Sequence, residues 1–156
     1  MKNLLIIIIS ILSISCSKNS GGSENNTFID KDLNIYLKNS EGLNLLDSEF
    51  FPSQDFKVFY EINGQRILFN EPNLTHSKGF KIYDNSQSKI LKLYLNDKLQ
   101  TPVSNTYFQW SATQTDKITA FFDRKDNYVS VVKILLNDVQ VWDASTSSGR
   151  EITIIK

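Results

Sequence analysis

The chain reads as an all-β protein, an antiparallel two-sheet sandwich of about eight to ten strands behind a secretion signal. Three observations predict it. From about residue 28 onward apolar and polar residues alternate with period two, which sends every second side chain to one face of a pleated sheet. Clusters of Asn, Asp, Gly, Ser and Pro interrupt the alternation about every eight to twelve residues, which is turn chemistry at strand spacing. Beyond the leader, no stretch sustains the apolar period of a helix, about 3.6 residues.

The leader comes first. Met1 and Lys2 precede an apolar run from Leu4 to Ile14 that stops at Ser15, Cys16, Ser17 and Lys18. A membrane-spanning helix needs about 20 apolar residues, so this run is too short to cross a bilayer. It has the length of a signal-peptide core, and Leu12-Ser13-Ile14-Ser15-Cys16 has the layout of a lipoprotein box, in a looser form with Ser13 where Leu usually stands. Cys16, the only cysteine, is therefore the expected lipid attachment site. A free thiol at that position would have no disulfide partner. At about 0.8 kcal/mol per buried methylene, two or three acyl chains hold a chain firmly.

Residues 1–15 are thus a signal peptide, 16–27 the lipidated cysteine and a tether, and 28–156 one folded domain. The tether, rich in Ser, Asn and Gly, has nothing apolar to bury and reaches on the order of 20 Å. Ser17 rather than Asp after the cysteine resembles an outer-membrane address. The tether suits a periplasmic or a surface-exposed domain equally.

Within the domain, Leu33, Ile35 and Leu37 share one face of a first strand, and Phe56, Val58, Tyr60 and Ile62 one face of a second. Asn63-Gly64 is the strongest hairpin signal, a two-residue turn that wants positive φ, with Arg66 to Phe69 returning. Gly79 to Asp84 and Lys89 to Leu95 pair across the next turn, followed by Thr106 to Ser111 and Lys117 to Arg124. Tyr128 to Leu136 is so apolar that both its faces are expected to be covered, as in a central strand. Asn137-Asp138 turns it into Val139 to Trp142, and a polar loop from Ser145 to Gly149 leads to Glu151 to Lys156. That makes about ten strands. Pro52, Pro72 and Pro102 fall between them, as a β reading requires. The Cys…Trp…Cys marker of antibody domains is absent, so an immunoglobulin-like order is one option among several.

The lipoprotein box, the tether, the Thr106-Tyr107-Phe108-Gln109-Trp110 strand, the Asp116-Lys117-Ile118 start and the Lys133-to-Asp143 hairpin together resemble small uncharacterised Bacteroidetes-type cell-envelope lipoproteins. The likeness spans nearly the whole chain. It implies an envelope location and a single β-sandwich domain, but carries no established activity and no catalytic residue.

Charge and composition exclude several functions. Lys plus Arg equals Asp plus Glu at 17 each, and loss of Lys2 with the leader leaves a net charge near −1. Nothing basic enough for nucleic acid is present. With one histidine, and the cysteine taken by lipid, there is neither a Cys-His nucleophile nor a Cys/His zinc site. His76 reads as an exposed loop residue; a triad with Ser77 or Asp84 lacks the nucleophile elbow. Asp30, Asp32, Asn34 and Glu41 match ligand positions of an EF-hand loop, yet Ile35 occupies the obligatory Gly position and the segment alternates as a strand. Asp123, Asp126, Asp138 and Asp143 crowd turns, where turn chemistry explains them. No metal site, cofactor or catalytic residue is assigned.

Tyr107 and Gln109 alternate with Thr106, Phe108 and Trp110, so one set faces outward unless both faces of the sheet are covered. An outward aromatic strip could stack on sugar rings or a partner protein, whereas Trp110 and Trp142 read as core. The expected function is a non-catalytic binding, adhesion or accessory module held in the outer membrane through Cys16, with an envelope protein or a glycan as partner. The alternatives are a structural envelope protein and a small polysaccharide or peptide hydrolase, the last limited by the cleft that about 125 residues can supply.

Overall fold

A computed structural model describes residues 27–46 and 48–156. The expected signal peptide, Cys16 and nearly all of the expected tether lie outside the described residues. Eleven strands form among those described: β1 (Phe28–Asp30), β2 (Asp32–Lys38), β3 (Lys57–Ile62), β4 (Gln65–Leu68), β5 (Phe80–Asn85), β6 (Ser88–Tyr94), β7 (Val103–Gln109), β8 (Thr115–Lys125), β9 (Tyr128–Leu136), β10 (Val139–Asp143) and β11 (Glu151–Ile155). A single 3-10 turn, Ser53–Asp55, follows Pro52.

The strands form two packed sheets, a β-sandwich. One sheet runs β1-β9-β8-β7-β3-β4, with β10 also on β9; the other runs β11-β2-β6-β5. β1 and β10 divide one edge of β9, β1 taking Tyr128 to Ser130 and β10 taking Lys133 to Leu136. Between the layers lie Leu33, Ile35, Leu37, Leu91 and Leu93 from the smaller sheet and Val58, Phe108, Trp110, Ile118 and Ile134 from the larger, all sealed from solvent. Phe56 meets both Phe108 and Trp110 edge-on at a centroid distance of 5.4 Å, the arrangement that aligns positive ring edges with negative faces.

Two expectations need correction. The sandwich is mixed and not purely antiparallel, because β1 runs parallel to β9 and β11 parallel to β2. Side-chain alternation reports which face a residue occupies and is blind to strand direction. Both parallel pairs join segments far apart in sequence, as parallel pairing demands. β1 was not anticipated as a strand, being only three residues long.

The second correction concerns β9, whose outer residues Val132, Lys133 and Leu135 are only half-buried. β9 is flanked on both sides, as expected of a central strand. Part of its apolar run has another cause, which is a β-bulge at Val132. Phe121 pairs with Lys133 and Phe122 with Val131, which leaves Val132 unpaired; on the other edge Val141 is the extra residue between Gln140 and Trp142. A bulge inserts one residue, so Val131 and Ile134 both reach the core although three positions apart.

The hairpins behave as their residues dictate. Asn63 and Gly64 have φ of 52° and 76°, and Asn137 and Asp138 have 48° and 71°, the doubly left-handed turn that matches strand twist. β11 presents Ile152 and Ile154 to the core and Ile155 to solvent.

Candidate functional site

The sandwich is open along the side where its outer strands β4 and β5 face each other, and residues 69–79 cross that opening. The crossing is held by local turns: Leu74 N–H donates to the Glu71 carbonyl, Glu71 N–H to Ser77, and Gly79 N–H to His76, at 2.9–3.0 Å. Gly79 has φ of +79°, and a Cβ there would stand 2.9 Å from Cδ1 of Phe69. Only glycine lets the backbone pass this close to the Phe69 ring while its carbonyl accepts the Tyr94 N–H at 3.0 Å.

Under this crossing lies a cavity of about 250 Å³ lined by Lys31, Tyr60, Phe69, Leu74, Thr75, His76, Gly79 and Tyr94. Tyr60 comes from the inner face of β3 and Tyr94 from the end of β6, so the cavity spans both sheets. His76 stacks on Tyr94 with centroids 5.1 Å apart and planes within 10°. Phe69 lies 4.7 Å from Tyr60. The Tyr60 hydroxyl donates to the Tyr94 carbonyl at 2.9 Å, so the two walls are tied together.

At the rim Lys31 pairs with Asp97 at 2.6 Å and Lys98 with Glu71 at 2.6 Å. Burial, and then the negative charges of Asp97 and Glu71, push the Tyr60 hydroxyl well above the ordinary tyrosine range. Burial also raises Tyr94. Both phenols stay neutral near pH 7, as donors and acceptors rather than bases. Thr75 and His76 also border a wider groove of about 450 Å³, lined by Gln54, Ser77, Lys78 and Lys81 among others. A small aromatic cavity thus opens beside a polar trough.

His76 is therefore not an exposed loop histidine. It lies in the loop, half-buried, and forms a wall of the cavity. Among the described residues no hydrogen bond joins its side chain to Ser77 or Asp84, and Asp84 sits near the far end of β5 opposite Lys89. Asp30 is held by a bidentate Arg150 contact at 2.8 Å on each oxygen, and Asp32 pairs with Lys92 at 2.5 Å, while Glu41 lies in the turn beyond the opposite end of β2. Asp30, Asp32 and Asn34 border one small cavity, but Arg150 lies in it and holds Asp30, and Glu41 is apart from it, so the four do not form a calcium loop. Among the described residues no three His, Cys, Asp or Glu side chains converge. Asp123 pairs with Lys125, Asp138 pairs with Lys117, Asp143 accepts from Ser145, and Asp126 is exposed in the β8–β9 turn.

Tyr107 and Gln109 form the outward set of β7. Tyr107 is nonetheless buried, because the Arg66 guanidinium covers it at 3.7 Å and its hydroxyl donates to Glu61 at 2.6 Å. Trp110 and Trp142 are core, as expected. The cavity itself had a faint signal in the sequence: Tyr60 is on the inward parity of β3, and His76 and Gly79 fall in a loop with no strand pattern. Their meeting with Tyr94 depends on sheet order, which alternation does not encode. Cys16 lies outside the described residues. Comparison with protein-family models, with curated proteins and with solved structures returns no match.

Proposed function

We propose that this protein is a lipid-anchored, non-catalytic binding module of the outer membrane, and that the aromatic cavity beneath residues 69–79 is its binding site. The observation that carries the reading is a cavity of about 250 Å³ whose rings are fixed before any ligand arrives, by the stack of His76 on Tyr94 and the hydrogen bond from Tyr60. Preorganisation of this kind lowers the cost of binding. Drug-sized ligands fill pockets of about 300 Å³ or more, so this one suits a single ring.

A ring with an apolar face and hydroxyls on its edge fits best. The faces of Tyr60, Phe69 and Tyr94 offer apolar contact, while the Lys31–Asp97 pair offers both a donor and an acceptor beside the cavity. A pyranose presents both surfaces. The polar trough beyond His76 has room for further sugar units, which favours an envelope glycan as ligand. Anchorage is supported by the leader and Cys16. The sequence resemblance to envelope lipoproteins supports the location.

Isothermal titration with a panel of envelope glycan fragments, against the wild type and the variants Tyr94→Ala and His76→Ala, tests the site. Loss of one stacking ring is expected to weaken binding about two- to tenfold, from about 0.5–1.5 kcal/mol per aromatic contact. Equal affinities for all three proteins would remove the cavity as the site.

A further inference from the structure

We infer that the exposed Phe28–Tyr128 pair, at the root of the tether, docks the sandwich against the bilayer that holds Cys16. The inference rests on the anchorage proposed above. Phe28 and Tyr128 are register partners on neighbouring strands, and their rings stack at 5.6 Å with planes within 4°. They contribute nothing to the core: Phe28 is 62% exposed and Tyr128 37%. A stacked pair of this kind left in water is a ready-made apolar contact with a phenol at its edge. Tyrosine favours the bilayer interface for that combination.

The occupant follows from the chain that precedes the patch. Phe28 N–H donates to the Asn127 carbonyl at 2.9 Å, so the backbone is tied to the β8–β9 turn at the patch itself. Only the residues from Ser17 to Thr27 separate it from Cys16. At a reach on the order of 20 Å, the tether keeps this corner of the molecule within contact distance of the lipid surface. Such short tethers give effective concentrations in the millimolar range, enough to populate a contact too weak to form between free partners.

The geometry leaves the aromatic cavity accessible. In the larger sheet β1 and β4 are the two ends of the order β1-β9-β8-β7-β3-β4, five inter-strand steps or about 24 Å apart. The cavity lies on the β4 side, and bilayer contact on the β1 side does not cover it. Phe50, 78% exposed, serves as the reference position. It borders a cavity with Lys156, whose ammonium bonds Asp116, as does Asn137 just beyond the end of β9; Tyr128 is at the start of β9, about 26 Å away along the strand.

The test uses the full chain expressed in a lipidating host with labelled palmitate and reconstituted into phosphatidylethanolamine–phosphatidylglycerol vesicles containing brominated acyl chains. Tyr128→Trp and Phe50→Trp are compared with the parent, whose Trp110 and Trp142 give the buried background. Docking predicts bromine-dependent loss of emission for Tyr128→Trp, little for Phe50→Trp, and a reduced loss when Phe28→Ser is added to Tyr128→Trp. Palmitate incorporated with no quenching of Tyr128→Trp, or equal quenching of both positions, overturns docking and leaves anchorage standing. Absence of palmitate overturns anchorage, and docking with it.

Discussion

Asp116 shows how single residues hold this fold together. Its carboxylate is buried at 4% exposure and accepts hydrogen bonds from Trp110 Nε1 at 2.7 Å, Asn137 Nδ2 at 2.9 Å and Lys156 Nζ at 3.0 Å. Desolvation by burial is the largest single influence and pushes the carboxyl up, but the hydrogen bonds from Lys156, Asn137 and Trp110 outweigh it and hold Asp116 below its ordinary 3.8. Asp30 is likewise lowered, first by its hydrogen bonds to Arg150. A carboxylate whose folded pKa lies below the unfolded one stabilises the fold above the unfolded value. That contribution is lost as pH falls through the folded one. Stability is therefore expected to drop below about pH 4, and urea melts across that range read it. Asp116→Asn is expected to cost about 1–3 kcal/mol at neutral pH and to shrink the acid-side drop. An unchanged midpoint at neutral pH would show that the three hydrogen bonds to Asp116 add nothing to stability. Asp116 falls just before the strand that the alternation predicts from Lys117 and so is left out of it, although the parity of Ile118, Ala120 and Phe122 extends to it.

Individual elements carry consequences that residue pairs do not. β11 is an edge strand on β2, held by parallel pairing from Glu151 to Ile155 and by burial of Ile152 and Ile154. Removing Glu151 to Lys156 deletes both side chains, each worth about 2–5 kcal/mol by analogy with core truncations, from a domain held by about 5–15 kcal/mol. It also strips Asp116 of Lys156. A thermal melt of the truncated chain should show a lowered or absent transition; a midpoint within error of the full chain would make β11 a passive terminus. The crossing over the cavity makes a second prediction. Gly79→Ala combines a left-handed φ with a Cβ 2.9 Å from the Phe69 ring, so it should cost about 1–3 kcal/mol and displace Phe69. Measured together, ligand affinity and melting midpoint should both fall. Hairpins such as Asn63-Gly64 and Asn137-Asp138 were fully legible, because each is decided by two adjacent residues and strand twist. β1 and the two bulges around β9 were not, since a three-residue strand and an inserted residue leave no period to read.

At the scale of the molecule, alternation established two facing apolar surfaces and hence the sandwich, while strand order and direction came from contacts that no local pattern records. The cavity shares that fate. Tyr60, Phe69, His76 and Tyr94 are spread over 35 positions of sequence and meet only because β4 and β5 end up on the same open side. Cys16 is the opposite case, since an apolar leader of signal length and a single cysteine at its end make it the expected lipid attachment site without reference to any fold. Attachment through that cysteine is what would make this sandwich an envelope protein. Detergent phase partitioning of the wild type and Cys16→Ser, with palmitate labelling of both, tests it most directly. The wild type should incorporate label and enter the membrane fraction and detergent phase, and Cys16→Ser should lose the label and leave the detergent phase. Identical partitioning and no palmitate on either protein would contradict lipid anchorage.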